Sequence, residues 1–544
     1  MNFFEFMVQF TGMMFVLQKY KEVDPMKSTA KKTISFLLVC LMALSVMPLA
    51  LVAEAEKEEK YPELTVKGFG ASSVKIYYED DPEQKSLFYP FDTDRLMSNV
   101  EKIDEYIFDA VKNAEPNVLR SVIYDYCMET FGMLAFKPDG SNMDGVVNEE
   151  PGLRKKRDGV YEFYYDCRES PVVSAHQLQV AIDQLFAETG AEKIELIGSS
   201  FGANIVTAYM YEYPENLHKI DTVLLCAPSV GGMEFLGELL SGNFDVDARG
   251  LCDYVEQLSQ EEALSDFFYV LEETGVLDVL LQALAVPVLE KAVYEGVVDV
   301  ARDLLATLPT LCVCIPDKYF VPAMTFLYGE NYKDPNHTYA QTIAKMEYYH
   351  YNVANNATQI YLDAEENNEG LNMAVVCKFG VAAIPLTSGE TVMDDGLVTT
   401  TVSSYGATCA NYGETFSEDY VQQRYTDYNF MCPEWNIDAS TCAFPFRTWF
   451  IKGLGHSKKI ADYNDFIREI TTYDTDVFTD SNRPQFLKVC EDDPQKLEPI
   501  TAPEDDGAEK TFLQSLFELF RKLLAIPKMI IERLLEGKDP SIIK

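Results

Sequence analysis

Ser200 stands at the centre of Gly198-Ser199-Ser200-Phe201-Gly202, a G-x-S-x-G arrangement. A serine hydroxyl is a weak nucleophile until a base takes its proton, and that base must be oriented by a third group. The chain has five histidines, which makes elimination practical. His176 precedes the serine, His218 follows it closely, and His337 and His350 fall within a long helical segment. His456 remains, in a glycine-flanked loop of FRTWFIKGLGHSKKIADYNDFIREI, and is the expected base. In a strand–elbow–helix enzyme the partners follow the nucleophile, acid first and histidine last. Asp394-Asp395-Gly396 marks a tight turn in the right interval. Asp395 is the expected acid, Asp394 its rival and Asp438 a third candidate. Each residue also has a plainer role, as a loop serine, a surface histidine or a turn-forming aspartate.

The flanking sequence supplies elements that would position these side chains. Ile194, Leu196 and Ile197 lead into the turn as a buried strand would. Beyond it, Val206, Tyr209, Met210 and Tyr213 recur at helical spacing. The turn between is tight, and the small residues Gly198 and Gly202 let strand and helix approach closely. Leu371–Leu386 reads as a buried strand and its exit, leading towards the paired aspartates, and Thr448–Ile451 as the strand before His456. Upstream, VSAHQLQVAIDQLFAETG is an amphipathic helix with Leu178, Ala181, Ile182 and Leu185 on one face, and GVYEFYYDCR is a strand. Strands alternating with helices in this rhythm predict a doubly wound, mostly parallel sheet.

Several stretches together resemble the α/β-hydrolases related to lecithin:cholesterol acyltransferase and its phospholipase relatives. YPELTVKGFGASSVKIYYED is similar to that family's strand and oxyanion loop, with Lys67 where Pro is usual. YYDCRESP is similar to its Tyr-Asp-Trp-Arg segment, with Cys167 for Trp. LIGSSFGANIV resembles its elbow, with Ser199 for His, and LLCAPSVGG the strand and Gly-Gly turn ahead of its lid. DDGLVTTTVS resembles its acid loop, with Leu397 for Thr. The resemblance spans about Tyr61 to Gly232 and Leu371 to about Thr472. It implies an α/β-hydrolase fold, ester chemistry on lipid-like substrates, and an oxyanion hole in which the Phe69 N–H acts as second donor. The first donor, the Phe201 N–H, follows from the elbow itself.

The remaining chain divides around this core. A basic start after Met26, the apolar run TISFLLVCLMALSVMPLALV and Ala53-Glu54-Ala55 read as a secretory signal within residues 1–55, with Met26 the expected true start. A retained membrane anchor is the alternative. The hydrolase core is expected over 56–232 and 371–490, with a helix near Met97–Asn113. Residues 233–370 are helical in pattern and rich in Leu, Val and Tyr, as a cap or lid would be. An acidic, proline-containing linker is expected over 491–510. The tail over 511–544 carries Leu513, Phe517, Phe520 and Leu524 at helical steps, with Arg521, Lys522, Lys528 and Arg533 among them. This amphipathic helix, bent at Pro527, would lie on a lipid surface or dock on its own domain.

At 544 residues and a net charge of −42, the chain is long enough for one large domain and repels nucleic acid. Its twelve cysteines show no metal-type spacing; Cys432 and Cys442 bracket PEWNIDAST and could close a small disulfide loop, with connectivity left open, and Cys127, Cys167 and Cys226 read as buried core thiols. No metal or organic cofactor is implied. Two functions remain: a secreted or cell-surface serine hydrolase of lipid-like esters, with acyl transfer as a variant, or a catalytically silent surface or lipid-binding protein on the same fold. The intact set of residue types, in order, favours the first.

Overall fold

The computed structural model describes residues 61–80, 116–243, 249–250, 252–253, 287–384, 392–472, 476–479 and 483–502. The 1–55 segment, the helix expected near Met97–Asn113 and the 511–544 tail lie outside them.

In chain order the first strands are β1 (Glu63–Val66), β2 (Ile76–Tyr78), β3 (Val146–Asn148), β4 (Gly152–Arg157), β5 (Val160–Tyr164), β6 (Ile194–Ser199) and β7 (Ile220–Cys226). After the helical segment come β8 (Asn372–Phe379), β9 (Thr408–Cys409), β10 (Ile437–Asp438), β11 (Thr448–Lys452), β12 (Phe486–Val489) and β13 (Leu497–Pro499). Nine of them form one sheet in the order β13-β12-β11-β8-β7-β6-β1-β5-β4. The inner strands all run parallel, and only the edge strands β4 and β13 are antiparallel to their neighbours. A parallel sheet must be covered on both faces, and the sequence complies: β7 is buried at every residue and β8 at all but its first.

The winding reverses at β1. That strand pairs with β5 on one side and with β6 on the other, with Val66 level with Gly198. Ligands of open α/β sheets bind beyond the carboxyl ends of strands at such a switch point, because the connections leave there in opposite directions and open a crevice. The two loops that meet there are those after Val66 and after Ser199.

The helices are α1 (Pro116–Phe131), α2 (Pro171–Thr189), α3 (Phe201–Glu212), α4 (Glu234–Leu240), α5 (Pro287–Asp303), α6 (Asp317–Tyr328), α7 (Ala340–Asn352), α8 (Ala357–Asn367) and α9 (Ala461–Thr472), with shorter turns between them. Ser170 caps α2 with Pro171 in its first turn, and Gly190 ends it at φ 68°. The predicted face of Leu178, Ala181, Ile182 and Leu185 is buried. α3 is buried along most of its length between neighbours that include α2 and α8. A hydroxyl chain ties it down: Thr207 bonds Tyr361 at 2.5 Å, and Tyr361 bonds Tyr405 at 3.0 Å.

The described parts of the 233–370 segment are helical. It starts from the tight Gly231-Gly232 turn, where Gly232 sits at φ +92° and an added Cβ would lie 2.5 Å from the Pro316 nitrogen. α5 runs along α1, with Arg120 bonded to both Asp299 and Glu295. The last helices turn back to the sheet, α8 packing on α3 and β8. That end of the segment is a flank of the core.

Two expectations change. The stretch assigned to a linker from 491 onward continues the sheet as β13, because Leu497 and Ile500 bury their side chains and Pro499 sits on an edge that tolerates a missing donor. Cys432 and Cys442 are separate buried thiols rather than a disulfide. Cys409 lies near both; backbone N–H groups of Glu434 and Asn436 also face Cys432, and Ser404 lies by Cys442. Among the described residues no helix is long and apolar enough to cross a membrane.

Candidate active site

Ser200 occupies the turn from β6 into α3 at φ 53°, ψ −125°, a region that non-glycine residues rarely enter. The conformation persists because the surroundings hold it: the Ser200 N–H donates to the Cys226 carbonyl at 2.9 Å, and the Ser200 carbonyl accepts from the Ala203 N–H at 2.9 Å. The flanking glycines are required by close approach. A Cβ on Gly202 would fall 2.0 Å from the Val66 carbonyl oxygen, and one on Gly198 would fall 2.9 Å from the Ala203 Cα. Strand and helix therefore meet almost backbone to backbone, and the serine side chain is turned out beyond the sheet.

His456 reaches it from the loop after β11. Its Nε2 lies 2.7 Å from Ser200 Oγ and its Nδ1 lies 2.7 Å from Asp395 Oδ2. A carboxylate only accepts, so Nδ1 carries the proton and Nε2 is left to accept from the serine hydroxyl. Asp395 is fully buried and the histidine side chain is 5% exposed. The other carboxylate oxygen accepts from the Leu397 and Val398 N–H groups at 3.1 and 2.8 Å, which fixes the orientation of the acid. The backbones are tied as well, the His456 N–H donating to the Asp395 carbonyl at 2.8 Å.

The rival candidates lie elsewhere. Asp394 is buried beside Asp395, and burial, with the neighbouring Asp395 charge, pushes its carboxyl well above the usual carboxylate range. Asp438 accepts from Tyr420, Gln423 and Ser440 and shapes its own loop. His176 contacts Tyr213, His218 the Glu215 carbonyl, His337 the Tyr328 carbonyl and His350 Asp317.

The loop after β1 completes the crevice. Gly68 packs on the serine: an added Cβ would lie 2.8 Å from Ser200 Cβ and 3.2 Å from its Oγ. The Phe69 ring meets the Phe201 ring edge-on at 6.4 Å. Phe201 opens α3, so its N–H belongs to the first turn, where no intrahelical acceptor exists. Glu162, 2% exposed on β5, anchors the loop by accepting from Lys67 Nζ at 2.9 Å and from the Ser72 hydroxyl. The Tyr165 hydroxyl donates to the Lys67 carbonyl at 2.8 Å, and Tyr165 and Ser72 share a backbone bond. Beneath it the Cys167 thiol, buried near Ser73 and Gly70, is pushed up to about 12 by desolvation.

Sequence reasoning passed over two side chains around this site, Glu162 and Lys378. Both left a signal: a lone charge inside an otherwise apolar strand, in VYEFY and NMAVVCKF. Such a residue is rarely buried without a partner. Among the described residues no cluster of His, Cys, Asp or Glu could hold a metal ion. No protein-family model matches the chain, and no curated protein matches it significantly.

Proposed function

We propose that the protein is a serine hydrolase of carboxylic esters, built as an α/β-hydrolase. The observation that carries this reading is the continuous hydrogen-bonded array Ser200–His456–Asp395, with 2.7 Å at each link, assembled from three separate loops. Ser200 Oγ attacks the ester carbonyl carbon while its proton passes to His456 Nε2. The Asp395 carboxylate holds the imidazole in the required tautomer and stabilises its positive charge. The Phe201 and Phe69 N–H groups receive the developing oxyanion, a contribution of about 3 kcal/mol per donor. His456 then gives the proton to the departing alcohol as the tetrahedral species collapses to an acyl-enzyme, and water releases the acid by the same steps in reverse. An alcohol in place of water would give acyl transfer.

The lipid-like substrate class is supported by the family resemblance and by the apolar helical segment that follows β7, which we read as a cap shaping an acyl site. The strand order and the elbow at the switch point support the hydrolase reading of the sheet. The basic and apolar stretch ending in Ala53-Glu54-Ala55 supports a secreted or cell-surface location, which fractionation of the producing cells tests. Loss of liposome binding on truncation before Thr511 tests the tail as a lipid-surface anchor.

The reaction is tested with a fluorophosphonate probe and p-nitrophenyl esters of short and long acyl chains, beside Ser200→Ala. Labelling and turnover that vanish in the variant support the proposal, and the chain-length preference separates lipase from esterase. A folded wild-type protein that neither labels nor turns over would leave the surface-binding reading in its place.

A further inference from the structure

The carboxyl end of β8 holds both partners of Ser200. The Val381 N–H, just beyond the strand, donates to the Asp394 carbonyl at 3.0 Å, and the Phe379 carbonyl accepts from the Gly453 N–H at 2.9 Å. Lys378, the residue before Phe379 on this strand, is 2% exposed. Its ammonium donates to the carbonyls of Gly455 at 3.2 Å, His456 at 2.7 Å and Lys458 at 2.7 Å. An ammonium has three N–H donors and no acceptor, so three carbonyls satisfy it fully.

Resting on the serine-hydrolase reading, we propose that Lys378 is a positioning residue: its ammonium gathers three carbonyls of the 455–458 loop and so fixes the His456 imidazole between Asp395 and Ser200. It touches no reacting atom. The backbone route for this effect is short, because the carbonyl it grips belongs to His456 itself. The clamp also explains why a lysine is kept inside a buried parallel strand, where an apolar residue would serve packing as well.

Protonation matters to this device, since a neutral amine has two N–H donors and a lone pair that repels the third carbonyl. The groups facing the ammonium are Asp395 from the acid loop, Cys226 from β7, Lys459 from the histidine loop and the Tyr463 ring of α9 at 5.0 Å. Burial lowers the Lys378 ammonium to about 7, against the pull of Asp395 and with Lys459 adding to the fall.

The test compares wild type with Lys378→Met, which keeps the length and removes every donor. Two readouts are followed: kcat and KM on a p-nitrophenyl ester, and the low-field proton resonance of the His456–Asp395 hydrogen bond, assigned by its absence in His456→Ala. The expected result is a fall in kcat on the order of 100-fold with KM unchanged, together with loss or broadening of the resonance. Wild-type kcat and an intact resonance in the variant would overturn the clamp. Should Lys378→Met fail to fold, wild type alone decides: raising the pH through the titration of Lys378 should broaden the resonance, and a sharp resonance throughout rejects the proposal. If wild type proves inactive towards esters and fluorophosphonate, the hydrolase reading fails while the resonance still judges the clamp.

Discussion

Gly68 and Ser200 are in such close contact that a single methyl group at Gly68 would lie 2.8 Å from the serine Cβ and 3.2 Å from its hydroxyl oxygen. The loop after β1 thus lies against the serine, where the proposed oxyanion hole requires it. In Gly68→Ala the loop has to withdraw or the serine has to rotate. Either displacement should cost on the order of 100-fold in kcat/KM while the protein stays folded, as esterase assays with a parallel thermal melt would reveal. Gly202→Ala acts on the fold instead, because its methyl would strike the Val66 carbonyl. A drop of about 1–3 kcal/mol or more in unfolding free energy is expected from denaturant titration.

The adjacent aspartates should behave in opposite ways. Asp395→Asn keeps the shape but removes the acceptor for Nδ1–H, and turnover should fall by about 10,000-fold. Asp394→Asn resembles the neutral form that burial already favours and should leave turnover unchanged. Because the folded carboxyl of Asp394 is raised, its contribution to stability is full below the unfolded value of about 4 and declines as pH rises from there. Melting temperatures across that range should therefore fall less with pH in Asp394→Asn than in wild type. A steeper fall in the variant would contradict the burial argument.

Glu162 ties the loop after β1 to the sheet. Burial by itself raises its carboxyl, but Lys67, Ser72 and Lys156 outweigh this and bring it below the ordinary value. A depressed carboxyl contributes stability that is present above its unfolded pKa and lost as pH falls through the folded one. Glu162→Gln should lower unfolding free energy by about 1–3 kcal/mol at neutral pH and make the loss on acidification shallower. Chemical denaturation at neutral and acid pH measures both effects.

His350 is buried in the helical segment, stacked on Phe320 with ring centroids 3.7 Å apart and bonded to Asp317 at 2.9 Å. Among the described residues its Nδ1 has no hydrogen-bond partner. Burial lowers its pKa despite the aspartate, so the stability it contributes is full above the unfolded value of about 6.5 and is lost as pH falls below it. His350→Phe should flatten the fall in melting temperature on acidification through this range. An unchanged slope by scanning calorimetry would show that the histidine does not govern it.

Some departures from the pattern of the hydrolases that the sequence resembles find a physical role in the structure. Lys67, in the place of the usual Pro, brings a side chain that reaches Glu162 and adds an anchor to the loop after β1. Cys167, in the place of Trp, is a small buried thiol beneath that same loop. The cysteines in the described residues are unpaired, and most are buried.

The elements nearest the chemistry were legible because their signals are local. The elbow needs Gly198 and Gly202 within a few residues of Ser200, and the amphipathic face of α2 repeats within one helix. Ser200, Asp395 and His456 could be chosen by order and by counting histidines. β4 escaped notice since Arg154, Lys155 and Lys156 mask a strand that lies at the sheet edge, where charge is tolerated. β13 was hidden by prolines and acids for the same reason.

What sequence by itself determined is thus the set of local conformations and the types of reactive group. Tertiary structure alone decided which of two neighbouring aspartates meets the imidazole, since successive residues on a turn point apart and only the approach of the 455–458 loop selects one. It alone decided that Cys432 and Cys442 are separate thiols, although both lie near Cys409. It also made Lys378 a clamp. A lysine's surroundings depend on chain 77 to 80 positions away, and no local pattern records the three carbonyls that converge on its ammonium.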